Sequence, residues 1–173
     1  LLTMILERGH YSPVAIDDDF SVKVYTKYID GIDPTKRFFL QSDIDEFNKY
    51  KKGIDDLIRN KDLTFFELTN SRMLQRMEES RGIYSAILKK PFDFNANEEI
   101  SVDYEKLPYS KNKKELTERW RKQLKLQALS SIIDKQKLEQ DKKDKETSYE
   151  MKSLEVIEKE VRENSLKSLN EYF

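Results

Sequence analysis

HYSPVAIDDDFSVKVYTKYIDGIDPTKRFFLQSDIDEF, residues 10–47, decides how the chain is read. Asp17, Asp18 and Asp19 stand before Phe20, Val22, Val24, Tyr25, Tyr28 and Ile29, whose spacing is mostly helical. Val22 and Val24 taken alone also suit the start of a strand. An acidic triplet belongs at a helix N-terminus, where the macrodipole favours negative charge. Gly31 and Pro34 end that helix, and Phe38 and Phe39 sit in the turn that follows. Ser42-Asp43-Ile44-Asp45 then opens the next helix, with Ser42 as N-cap and an acid three residues on. Upstream, Leu1 to Arg8 reads as the last turns of a helix stopped by Gly9, with Pro13 in the connection. The stretch is helix end, turn, helix, turn, helix start.

Ile44, Phe47, Tyr50, Ile54, Leu57 and Ile58 continue at helical spacing to Asn60. Thr64-Phe65-Phe66-Glu67 has the form of a capping box and opens the longest regular stretch, to about Lys90. Phe66, Met73, Met77, Tyr84 and Leu88 make its apolar stripe, interrupted only by Gly82. Pro91 stops it. Phe92-Asp93-Phe94 and Ile100 to Tyr104 alternate around Asn95-Ala96-Asn97, which predicts a short β-hairpin or extended arm over 92–104. Asn112 and Glu115 cap a helix bearing Leu116, Trp120, Leu124, Leu126, Leu129, Ile132 and Ile133. Apolar residues nearly vanish from Asp134 to Glu150, a solvated linker or exposed helix. Leu154, Ile157, Val161, Leu166 and Leu169 make a final amphipathic helix. The expected fold is all-α, elongated, with about six helices and one arm, in a single domain over 1–173.

Composition narrows the class. Hydrophobic residues make up 37% and charged residues 38%, a ratio that suits thin helical structures with much surface in water. Nine Tyr and nine Phe argue against disorder. Net charge is −1, with −4 over residues 1–110 and +3 over 111–173. That asymmetry is too weak for a nucleic-acid binder, even with the basic residues clustered in 111–125. The chain has no Cys, which excludes disulfides, thiolate chemistry and Cys-based zinc sites. No apolar run approaches the roughly 20 residues of a membrane span. The opening Leu1-Leu2-Thr3 reads as a trimmed start, so the lack of a signal peptide says nothing of compartment.

No set of residues assembles into an active site. His10 is the only His, and its place after Gly9 suits a turn histidine bonded to a carbonyl better than a Ser-His-Asp relay. A Ser-Lys dyad needs a desolvated Lys beside the Ser, and no Ser here sits in a small-residue nucleophile turn. Asp17, Asp18 and Asp19 are contiguous, whereas calcium loops place their ligands at alternating positions around a Gly; capping is the better reading, as it is for Asp43, Asp45 and Glu46. Phe65, Phe66, Met73 and Met77 suit an adaptable groove for an apolar peptide, but their helical period favours ordinary core. The 92–104 arm has the composition to add a strand to a partner or shield a groove, though a hairpin on its own helices is favoured. No catalytic, cofactor-binding or metal-binding residue is assigned, no cofactor is called for, and partner-binding residues stay unassigned.

Several blocks carry a family resemblance: Asp17 to Ser21, Tyr28 to Asp33, Phe38-Phe39-Leu40 and Ser42 to Phe47, then Lys89-Lys90-Pro91-Phe92-Asp93-Phe94, then Asn112, Glu115, Leu116 and Trp120. In order and spacing they resemble the N-terminal helical domain of the carboxy-terminal processing peptidases, also called tail-specific proteases. The resemblance implies a periplasmic or envelope-associated serine peptidase that cleaves proteins with apolar C-termini. It implies a PDZ domain and a Ser-Lys catalytic domain outside this chain, so no catalytic residue carries over. It also implies a non-catalytic role here, enclosing substrate or docking a helical-repeat lipoprotein adaptor. The other reading is a free-standing helical interaction module.

Overall fold

The computed structural model describes residues 15–172; the expected helix end at Leu1 to Arg8, Gly9, His10 and Pro13 lie outside them. The described residues form α1 (Asp18–Ile32), α2 (Gln41–Phe47), a 3-10 turn (Asn48–Tyr50), α3 (Ile54–Asn60), α4 (Thr64–Leu88), α5 (Lys113–Lys145) and α6 (Leu154–Tyr172). They contain no sheet; one isolated parallel bridge joins Leu40 to Ser110. Two compact units result, one of residues 15–76 with Asp103–Lys113, the other of Met77–Val102 with 114–172.

In the first unit, α1 starts where the acidic triplet predicts. Asp17 is the N-cap and accepts the Phe20 N–H at 3.0 Å, with Asp18 and Asp19 in the first turn. The helix runs through Gly31 to Ile32 and closes at Asp33. It buries Ser21, Tyr25 and Ile29 at four-residue spacing. Tyr25 and Ile29 join Phe39, Ile44, Phe47, Ile54 and Phe65 in one core. Phe47 meets Phe39 edge-on at 5.2 Å and Phe65 at 6.4 Å, the geometry the ring quadrupoles favour.

Two helix starts differ from expectation. The N-cap of α2 is Leu40, not Ser42. Asp43, in the third helical position, reaches back to accept the Leu40 N–H at 2.9 Å, so the acid caps without a hydroxyl partner. At α4 the cap comes from outside the proposed box: Asp62 accepts the Thr64 N–H at 2.8 Å. The α4 stripe holds at Tyr84 and Leu88, 0% and 3% exposed, but its start is displaced by one residue. Phe65 is 7% exposed and Phe66 53%. The buried face continues through Thr69 and Ser80, polar residues that an apolar periodicity overlooks.

The second unit holds the rest of α4 with α5 and α6. Ile83, Tyr84 and Leu88 of α4 are buried, as are Leu116, Trp120, Leu124, Ala128 and Ile132 of α5. Trp120 stacks obliquely on Tyr84 at 5.7 Å, and the Tyr84 hydroxyl donates to Asn170 on α6 at 3.0 Å. Ala128 and Ile132 meet Ile157 and Val161 of α6, with Phe92 and Phe94 packed against them. Three apolar α5 residues lie outside the core: Leu126, Leu129 and Ile133 stay 40–43% exposed. After α5 ends at Lys145, Glu139 gathers the chain toward α6. Its carboxylate accepts Lys142 Nζ and the Tyr149 hydroxyl at 2.8 Å and the Lys152 N–H at 3.0 Å.

The predicted β-hairpin at 92–104 does not form. Residues 91–102 make no backbone–backbone hydrogen bond with any described residue. The alternation of Phe92 and Phe94 instead places both rings on the α5–α6 cluster, while the Phe92 N–H donates to Glu158 at 3.2 Å. Burying two rings against helices satisfies the same period-two pattern as a strand.

Candidate functional site

The acidic clusters singled out above prove to be packing devices. Asp43 is fully buried. Arg76 grips it with two bonds of 2.9 Å, through Nε to Oδ2 and Nη2 to Oδ1. Arg72 also bonds Asp43 and reaches Glu46 at 2.8 Å. Burial pushes the Asp43 carboxyl up, but the Arg76 guanidinium, the Leu40 N–H and Arg72 outweigh it and hold the group below its ordinary range. Asp45 accepts from Gln41. A second junction ties α1 to α3: the Ser21 hydroxyl donates to Asp55 at 2.7 Å and accepts the Asp55 N–H at 2.9 Å. Arg59 completes it on the other Asp55 oxygen.

Asp33 was unremarkable in the sequence and is the hub of the turn after α1. Fully buried, it accepts the N–H groups of Arg37, Phe38 and Phe39 at 2.9, 3.1 and 2.9 Å. Burial nevertheless pushes its carboxyl above the ordinary value. The three donors fix Phe38 and Phe39 in the buried positions they occupy. Lys36 fastens the 103–113 segment to the same turn, donating to the Glu105 and Leu107 carbonyls at 3.0 and 2.7 Å.

Ser21 and Ser148 bond carboxylates, and no hydrogen bond joins a Ser to a Lys among the described residues. No cluster of potential metal ligands occurs there either, and no helix is long and apolar enough to cross a membrane.

Two grooves among the described residues are apolar. In the first unit a groove of about 240 Å³ runs between Val24 and Tyr28 of α1, Leu57 and Ile58 of α3, and Phe65 and Phe66 of α4. Met73 only flanks the core there. In the second unit a groove of about 210 Å³ lies between Phe94, Ala96 and Ile100 on one side and Leu126 and Leu129 of α5 on the other. Its wall is set by Glu98, which accepts Arg121 Nη1 at 3.1 Å and pairs with Lys125. Arg121 and then Lys125 hold the Glu98 carboxyl down to about 2. The four-residue spacing of Arg121 and Lys125 on one helix face was the signal available in the sequence.

The domain is helical, Asp17, Asp33, Asp43 and Asp55 serve in it as caps and cross-braces, and two apolar grooves open among the described residues. The family described as the tail specific protease N-terminal domain matches residues 2–172, and the chain belongs to it. Over 120 residues the chain is 33% identical to a tail-specific protease of Haemophilus influenzae. The matched segment covers 68% of this chain and 17% of that protein, so the chain spans a minor part of the relative's length.

Proposed function

We propose that this chain is the non-catalytic N-terminal helical domain of an envelope-associated, carboxy-terminal processing serine peptidase. PDZ and Ser-Lys catalytic domains elsewhere in the full protein read and cleave proteins with apolar C-termini. This domain's part is mechanical: a helical wall that encloses the substrate or docks a helical-repeat adaptor. The carrying observation is the family match over nearly the entire chain, with carboxylates committed to internal bracing. Apolar grooves of this kind suit contact with polypeptide.

The test compares three proteins on one unfolded substrate with an apolar C-terminus: this chain, the full-length protein, and the full-length protein lacking residues 1–173. The expected result is no cleavage by the chain alone and impaired processing by the deletion. Inhibitor-sensitive cleavage by the chain alone would refute the non-catalytic role. Unchanged rate and substrate range after deletion would refute the mechanical one.

A further inference from the structure

The segment 95–102 is attached unlike any other part of the second unit. It lies outside every described helix, and no backbone–backbone bond to a described residue secures it. One local bond joins Asn95 N to Asp93, and the Glu99 carbonyl accepts Lys122 Nζ at 2.8 Å. Every remaining polar link passes through one carboxylate, Glu98, between Arg121 and Lys125. Its root is different: Phe92 and Phe94 pack on the α5–α6 cluster, and Phe92 N rests on Glu158, braced by Arg162 at 2.7 Å. The segment is therefore rooted by rings and fastened by charge.

We propose that residues 95–102 are a strap latched to α5 by Glu98, and that release of this latch swings the strap off α5, taking one wall of the apolar groove with it and baring Leu126 and Leu129 further. Phe92 and Phe94 stay docked as the hinge. A latch of two cations on one carboxylate is sensitive to ionic strength, because at 1 M salt the screening length falls to about 3 Å. The depressed Glu98 carboxyl keeps it charged at any physiological pH, so salt or a competing charge opens the strap and mild acid does not.

The chain has no Cys, so Ala96→Cys takes a single nitroxide label whose mobility reports the strap. At low salt the label should be mostly immobile. Glu98→Gln should raise the mobile fraction roughly tenfold, the scale of losing the charge that holds two cationic partners at a partly exposed site. Salt at 1 M should do the same without the substitution. Glu99→Gln, whose exposed side chain has no partner, should leave the spectrum unchanged. An apolar dye seated in the groove should bind more weakly wherever the label is mobile. A Glu98→Gln spectrum that superimposes on the parent's overturns the proposal, as does equal mobilisation by Glu99→Gln. If Glu98→Gln fails to fold, shown by its Trp120 emission, the salt titration of the labelled parent decides: an immobile label at 1 M overturns the latch.

Discussion

Removing the Asp43 carboxylate should destabilise the first unit more than any other single change to a charged residue in it. Asp43 accepts one backbone N–H and bonds from both Arg72 and Arg76. Its side chain is wholly buried, and those of Arg72 and Arg76 are only 23% and 13% exposed. Asp43→Ala removes the carboxylate that two guanidinium groups share in a poorly solvated site, while Glu46 still reaches Arg72. Breaking a buried pair from one side costs about 3–5 kcal/mol. For a chain of this length that is a fall in Tm of roughly 6–20 °C. Urea unfolding followed by circular dichroism is the assay, since Trp120 emission reports the second unit. A triple variant, Asp43→Leu with Arg72→Met and Arg76→Met, should recover most of the loss, because the cost lies in removing the carboxylate from between two poorly solvated cations. The acid limb follows the same logic. The folded carboxyl lies below its unfolded value of 3.8, so its contribution is complete above that pH and drains away as pH falls further. A loss below 1 kcal/mol for Asp43→Ala, or no recovery in the triple variant, would refute the reasoning.

Asp33 should show the opposite sign. Its folded carboxyl lies above 3.8, so the folded state binds the extra proton and its contribution to stability declines as pH rises through the folded value. Asp33→Asn should therefore cost less at pH 7 than at pH 4.5, measured as the difference in urea midpoint. Equal costs at both pH values would count against burial as the dominant influence. On α4, Phe65→Ala should cost about 3–5 kcal/mol and Phe66→Ala within about 0.5 kcal/mol in the same unfolding assay; comparable losses would mean that the stripe runs through Phe66 after all.

Helices and their starts were legible where local chemistry decides them. Asp17 capped α1 as the acidic triplet required, and Trp120 and Leu124 lay on the buried face. What was not legible depended on partners distant in sequence. Leu126, Leu129 and Ile133 are as apolar as Leu124, but the neighbours of α5 change along its length, from Tyr84 at Trp120 to Ile157 and Val161 at Ile132. Its buried residues therefore step by four and wind around the axis rather than holding one stripe. The alternation at Phe92 and Phe94 fitted a strand as well as it fitted two rings on a helix pair. Periodicity alone does not tell which surface lies opposite. Asp33 and Asp55 were lost among many acids, and Asp43 was legible as a cap but not as a buried brace, because burial of a carboxylate depends on donors that only the fold collects.

Lys36 has a further consequence. Its φ is 50°, a conformation that glycine adopts freely and lysine does not. Glycine there would relax the main chain yet forfeit the ammonium that grasps two carbonyls some seventy positions away. Comfort at that one bend and cohesion between remote stretches of polypeptide are thus in direct competition, and the side chain's reach prevails over the backbone's ease.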